Sequence, residues 1–458
     1  MPAVHLPPEA NRRSGTESNL PPKETAMKAR IGIVSSAVAA LALAGCAPQP
    51  SIRKLMSIAP GWSGELIPEV DESYAGWDVE IGDADNDGLN EVATVTCPRG
   101  RMYVFERTAR GWITKSMFSN LAQDYPGMGL VAKVVDLNQD GVNEIVAGTG
   151  QENGGTAILY AMELRGDTLV ARTTCRPEVN RSSYTHSIAC LDLDHDGVLE
   201  AISAFCGGGE IVRYDFDRYL TTATARLIHQ LSGSGEESLI ADVDNDGSAE
   251  YLTSNGFRAG EAKVEIYEFD DRGELVIPPR LVLDGFDGQS CFYASLTVGD
   301  LENDGLNELV VEWKPEQRVN RATILAYRVG TEAQVACTLA YQDTAFDLAY
   351  FEKMMEIADA DNDGRNELVV STRGDEQSEH IESRHLGHVF LLEIVDGEPV
   401  RTLLADLHEG KAESSRLAVG DADNDGKNEI VLATGKGDRR KPGTSYVLLL
   451  RKAEGSTR

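Results

Sequence analysis

A nine-residue acidic pattern, Asp-x-(Asp/Asn/Glu)-x-Asp-Gly-x-x-Glu, begins at Asp83, Asp136, Asp192, Asp242, Asp300, Asp359 and Asp421, so that seven copies follow one another at intervals of 50 to 62 residues. The first reads "DADNDGLNE" and the last "DADNDGKNE". Short β-branched runs flank the copies, such as "VEI" (79–81) before and "EVATVT" (91–96) after, or "RLAV" (416–419) and "EIVLAT" (429–434). Brief runs of this kind around turn residues predict a hairpin. Two more strand-like runs complete most units, as "TAILYAMEL" (156–164) and "TLVARTT" (168–174) do in the second. Four strands per unit at this period predict an all-β fold, a seven-bladed β-propeller of four-stranded blades, with an open solenoid as the alternative.

The chain ends favour the propeller. The last strand-like run, "TSYVLLLRK" (444–452), leaves the seventh unit one strand short. Ahead of the first motif, "GWSGELIPEVDESYAGWDVEIGD" (61–83) parallels "GWITKSMFSNLAQDYPGMGLVAKVVD" (111–136), which runs from the fourth strand of the first unit into the second. Residues 62–70 are therefore expected to complete the last blade as its outer strand, which would close the ring and cover a sheet edge. The propeller is placed at 61–452, followed by a tail at 453–458.

Four carboxylates within nine residues repel one another unless a cation sits among them. The candidate ligands are Asp83, Asp85, Asp87 and Glu91; Asp136, Asn138, Asp140 and Glu144; Asp192, Asp194, Asp196 and Glu200; Asp242, Asp244, Asp246 and Glu250; Asp300, Glu302, Asp304 and Glu308; Asp359, Asp361, Asp363 and Glu367; and Asp421, Asp423, Asp425 and Glu429. An all-oxygen set of this size, with Gly at position 6 for the turn, suits Ca²⁺; zinc would call for His or Cys. An EF-hand is excluded because position 12 is Thr94, Ala147, Ser203, Thr253, Val311, Val370 and Leu432 rather than Glu. Asn138 keeps an oxygen at position 3, whereas Glu302 is one methylene longer and makes the fifth loop the weakest. Removing the 27 carboxylates of these loops takes the net charge from −31 to −4, so the acidity of the chain is almost wholly that of its loops. Up to seven calcium ions in a structural role are expected. A nucleic-acid partner is not, because phosphate binding needs a basic footprint.

Repeated at this spacing, the motif resembles the FG-GAP/VCBS repeats of integrin α-subunit propellers and many bacterial surface proteins. The resemblance covers about residues 61–452 and implies that each loop joins the two innermost strands of a blade and binds Ca²⁺. The "FG" and "GAP" signatures themselves are degenerate, "VAGTG" (146–150) being a loose echo.

Residues 27–45 read as an export signal. Lys28 and Arg30 precede an apolar run, Ile31 to Ala44, that is short for a membrane span. The run closes on Leu43-Ala44-Gly45-Cys46, which resembles a lipoprotein lipobox with Cys46 as the lipidated residue. Residues 1–26 then read as an upstream extension and 46–60 as a tether. Ala47 after the Cys resembles outer-membrane sorting in Gram-negative bacteria, so the expected location is exported and lipid-anchored, touching the membrane only through the lipid. Export would leave Cys97, Cys175, Cys190, Cys206, Cys291 and Cys337, either paired or as isolated buried thiols.

With one face given over to metal loops, a ligand is expected on the opposite face. The loops there include "EWKPEQRVNRA" (312–322), "STRGDEQSEHIESRHLGH" (371–388) and "GKGDRRKPG" (435–443). They offer Trp313, Arg318, Arg321, His380 and His385 to an anionic glycan, Trp313 by stacking on a sugar, or to a protein partner. The first strands are expected to start around the channel mouth and to bring His186, Glu236, Glu237, Lys353 and Arg416 together there, a polar group with acid–base capacity. No nucleophile, metalloprotease or phosphate-loop motif accompanies it. A binding propeller is thus the leading expectation, and a propeller-type polysaccharide lyase or related carbohydrate-active enzyme the alternative.

Overall fold

A computed structural model describes residues 56–70, 75–96, 100–119, 121, 127–151, 157–179, 183–256, 262–314, 322–343, 354–372, 388–407, 413–435 and 445–453. Among these residues the chain is all-β and propeller-like, a succession of antiparallel four-stranded meanders in sequence order. The first meander runs through Ala75–Gly82, Glu91–Thr96, Met102–Thr108 and Gly111–Phe118. A nine-stranded sheet combines the next two, which begin at Gly127–Val135 and Ala189–Leu191 and are joined by the two-residue strand Tyr184–Thr185. The others begin at Ser234–Ala241, Tyr293–Gly299, Met355–Ala358 and Glu413–Gly420.

Each acidic pattern forms the turn between the first and second strands of a meander. The second strands are buried on both faces, as every described residue of Glu91–Thr96, Glu200–Cys206 and Glu308–Lys314 is. Such strands are near-continuous in apolar residues because sheets cover them on either side. Apolar clusters lie between consecutive sheets. One of them, built on Val79, Val92 and Phe105 with Val431, Val447 and Leu449, packs the first meander against the last.

The N-terminal strand behaves as the sequence predicts. Trp62–Val70 pairs antiparallel with Ser445–Lys452, Trp62 opposite Lys452 and Ile67 opposite Val447. Met56–Ile58 adds a further strand to the edge of Glu398–Leu407. Two sheet edges are thereby covered by chain from the other end of the sequence. Among the described cysteines, Cys175, Cys190, Cys206, Cys291 and Cys337 are free thiols.

Deleting residues 61–70 would bare the edge of Ser445–Lys452 and the apolar side of Val447 and Leu449. The deletion variant is expected to self-associate in size-exclusion chromatography and to melt earlier. A monomer with an unchanged melting curve would refute this role.

Candidate metal centres

The seven acidic turns share one hydrogen-bond plan. The position-1 Asp accepts from two backbone N–H groups, as Asp83 Oδ1 does from Asp87 (3.0 Å) and Asp83 Oδ2 from Gly88 (3.0 Å). The position-5 Asp accepts from position 7, as Asp87 does from Leu89 (2.9 Å). The position-9 Glu reaches back through Oε2 to the position-2 N–H: Glu91 to Ala84, Glu144 to Leu137, Glu200 to Leu193, Glu250 to Val243, Glu308 to Leu301, Glu367 to Ala360 and Glu429 to Ala422, at 2.8–3.1 Å. Positions 4 and 6 take positive φ, 64° at Asn86 and 90° at Gly88, which Gly tolerates freely and Asn better than most residues.

This wiring leaves a second set of oxygens aimed inward. Glu91 Oε1, Glu250 Oε1 and Asp423 Oδ1 are buried and have no hydrogen-bond partner. Leaving a carboxylate oxygen dry and unpaired is costly, and a divalent cation would remove that cost. In the first, third, fourth and sixth turns at least three acidic side chains bring an oxygen within 4.8 Å of one another. The donor set is all oxygen, so the residues present fit Ca²⁺.

The titration of the position-9 glutamates points the same way. Burial, the largest cause, pushes Glu91, Glu144, Glu200, Glu250 and Glu429 up to about 7 and Glu367 to about 8. Charged neighbours add to the rise, as Asp85 does at Glu91 and Asp361 at Glu367.

Two features of the turns lie beyond the pattern. The first is a row of asparagines that links successive turns. Asn143 of the next turn donates twice to the first turn, its backbone N–H to Asn86 Oδ1 (2.6 Å) and its Nδ2 to the Asp83 carbonyl (2.8 Å). The same two-bond bridge joins Asn245 to Asn307, Asn303 to Asn366 and Asn362 to Asn428. It also joins Asn424 of the last turn to Asn90 of the first. Position 4 is thus a bridge wherever it is Asn. His195, in the third turn, is exposed as expected of a non-ligand.

The second feature is a set of internal cations that reach into the turns from the later strands of the meanders. Lys115 pairs with Asp85, Arg213 with Asp194, Arg280 with Asp244, Lys452 with Asp361 and Arg451 with Asp423. Arg328 goes furthest, contacting Glu302, Asp304 (2.9 Å) and Glu308. Its guanidinium thereby meets positions 3, 5 and 9 of the fifth turn, the one weakened by Glu302. An internal cation there takes the contacts that a metal ion would use.

The other predicted residues divide three ways. Trp313 is a correction: it is fully buried in Glu308–Lys314, and its Nε1 donates to Tyr327 Oη at 3.3 Å. The strand runs to Lys314, past the point where the sequence suggests a loop, so no sugar can stack on this ring. Arg318, Arg321, Lys353, His380, His385 and Cys46 lie outside the described residues; of the other cations in those loops, Lys314 and His388 are buried in strands. His186, Glu236, Glu237 and Arg416 are all buried where the first strands approach one another. Arg416 donates to the carbonyls of Leu130 (3.2 Å) and His186 (2.8 Å) and lies 3.4 Å from Asp78. Asp78 in turn accepts from the Ala132 N–H (2.9 Å), Glu237 from the Leu296 N–H and Glu356 from the Val419 N–H (3.2 Å). These side chains tie the first strand of one meander to that of the next. The expected mouth pocket is therefore largely a buried polar seam.

No protein-family profile matches the chain. A stretch of 159 residues is 26% identical to human (Homo sapiens) integrin alpha-11, covering 31% of this chain and 13% of that protein. This distant similarity agrees with a β-rich repeat fold. Among solved structures, the Vibrio cholerae biofilm matrix protein Bap1 overlays with a TM-score of 0.39 at 10% identity, over 88% of this chain and 91% of that one.

Chelation is expected to lower the melting temperature strongly, since a site held at about 100 times its Kd adds about 2.7 kcal/mol. The sign of the pH effect follows from the raised glutamates. Without calcium, the folded chain holds protons up to about pH 7 that the unfolded chain sheds near its ordinary value of about 4.3. These groups therefore stabilise the calcium-free fold at low pH, and that stability is lost as pH rises through about 7. Melting of the chelated protein is expected to fall between about pH 5 and pH 8 more steeply than that of the calcium-loaded protein. Parallel slopes would refute calcium at these glutamates.

Replacing Arg328→Gln removes the cation from the fifth turn. Calorimetry is expected to count one more calcium ion in the variant than in the parent. Equal counts would show that Arg328 does not compete there.

Proposed function

We propose that this chain is a calcium-loaded seven-bladed propeller, exported and lipid-anchored at Cys46, that displays a binding surface for a glycan or protein partner on the face opposite its metal loops. Ring closure is supported by the pairing of Trp62–Val70 with Ser445–Lys452, by the apolar cluster between first and last meanders and by the Asn424–Asn90 bridge. The observation that carries the functional reading is the wiring of the acidic turns. Their backbone donors are taken up by their own carboxylates and by the position-4 asparagines, and the carboxylate oxygens left over point inward, so this end of the sheets is scaffold. Connections leaving the other end of the second strands, such as 315–321, 373–387 and 436–444, differ in length and sequence. Variable loops on a repeated scaffold are where binding specificity resides.

The ligand class follows from the loop chemistry. Arg318, Arg321, His380 and His385 belong to these connections and would favour an anionic glycan or an acidic protein surface. With Trp313 buried, recognition rests on charge and hydrogen bonding rather than on that ring.

The test is a glycan array probed with the calcium-loaded protein, alongside Arg318→Ala/Arg321→Ala. Binding to uronic-acid glycans that the double variant loses supports this reading. Release of unsaturated uronate, followed by ultraviolet absorbance, would instead make the protein a lyase. Binding unchanged in the double variant would remove the anionic-ligand assignment. Cell fractionation of Cys46→Ser tests the anchor: the variant is expected to leave the membrane fraction.

A further inference from the structure

One group of side chains belongs neither to the acidic turns nor to the loops. His186, Cys206 and Glu236 come from three different segments: His186 follows Tyr184–Thr185, Cys206 ends Glu200–Cys206, and Glu236 sits in Ser234–Ala241. All three are buried, and one potential ligand atom from each lies within 4.8 Å of the other two. His186 Nδ1 is 3.1 Å from Glu236 Oε2. The Cys206 Sγ is within 4.8 Å of ligand atoms of both His186 and Glu236.

We propose that His186, Cys206 and Glu236 form a transition-metal site of the zinc class, separate from the calcium turns. The donor set is one imidazole nitrogen, one sulfur and one carboxylate oxygen. Calcium disfavours nitrogen and sulfur, whereas Zn²⁺ takes all three. The spacing agrees: bonds of about 2.0–2.1 Å in a tetrahedron place two ligand atoms about 3.3 Å apart, close to the 3.1 Å between His186 Nδ1 and Glu236 Oε2. Charge agrees as well. A thiolate and a carboxylate neutralise a divalent ion, so the loaded site carries no net charge into the interior.

The surroundings hold these ligands in place. Residue 236 falls where the pairing of Ser234–Ala241 with Glu250–Gly256 shifts register between Gly235 and Glu237, a bulge that re-aims its side chain. Ser234 Oγ donates to Glu236 Oε1 (2.9 Å) and accepts from the Gly207 N–H (2.8 Å), tying the carboxylate to the residue after Cys206. The Arg416 guanidinium holds the His186 carbonyl (2.8 Å). Such partners fix ligand orientation in metal sites. Three protein ligands leave a fourth position for water or a small exogenous donor.

The test uses the full chain in excess calcium, so that the acidic turns are filled. Co²⁺ serves as the optical probe for zinc, because a thiolate ligand produces a charge-transfer band that oxygen ligands cannot. The band is expected in the parent and in Cys337→Ser, and to vanish in Cys206→Ser. Calorimetry with Zn²⁺ is expected to show one site, weakened about 10–100-fold in Ser234→Ala, which leaves all three ligands in place. Melting in calcium checks that each variant is folded; if Cys206→Ser is not, Ser234→Ala and Glu236→Gln carry the test. Absence of the band in the parent, its survival in folded Cys206→Ser, or equal zinc affinity in Ser234→Ala and parent would overturn the site. None of these results depends on what the loop face binds.

Discussion

Electrostatic repulsion inside the acidic turns is the constraint around which the rest is arranged. Each turn gathers three or four carboxylates within nine residues, and the backbone N–H groups of the same turn take up one set of their oxygens. The oxygens left over, such as Glu91 Oε1 and Glu250 Oε1, are buried and face inward. Such a turn is stable only with positive charge beside it, from a bound cation, from a proton on the glutamate, or from a basic side chain. Burial favours a proton on the position-9 glutamates, and basic side chains such as Arg280 and Arg328 reach into the turns.

Function is separated from this constraint by direction. The first and second strands of each meander meet at an acidic turn, so the opposite end of the second strand must lead elsewhere. On the turn side, the asparagine bridges use polar groups that would otherwise face water. Between the two ends, the first strands carry a seam of buried polar side chains, with Arg416 reaching the carbonyls of Leu130 and His186. That seam couples the meanders, and the His186, Cys206 and Glu236 group lies within it.

The acidic turns, the strands beside them and the N-terminal strand at 62–70 were all legible in the sequence. Each is a local pattern, or a similarity between two stretches of sequence. Trp313 was misread for a local reason too. Every residue of Glu308–Lys314 is buried, so the strand has no alternation to mark where it ends, and a Trp next to Lys314 and Pro315 looks like loop. The asparagine bridges were visible as letters at positions 4 and 8. Their meaning was not, because the partners lie 57 to 334 residues apart.

By itself, then, the sequence determined the repeat, the chemistry of each turn and its oxygen-only donor set. Nine residues suffice for that, since the ligands are neighbours in the chain. Only the tertiary structure decided which turns are bridged, that Arg328 meets the fifth turn, and that Cys206 joins His186 and Glu236. Those contacts form when sheets stack side by side, and no spacing along the chain records which side chains will then face each other.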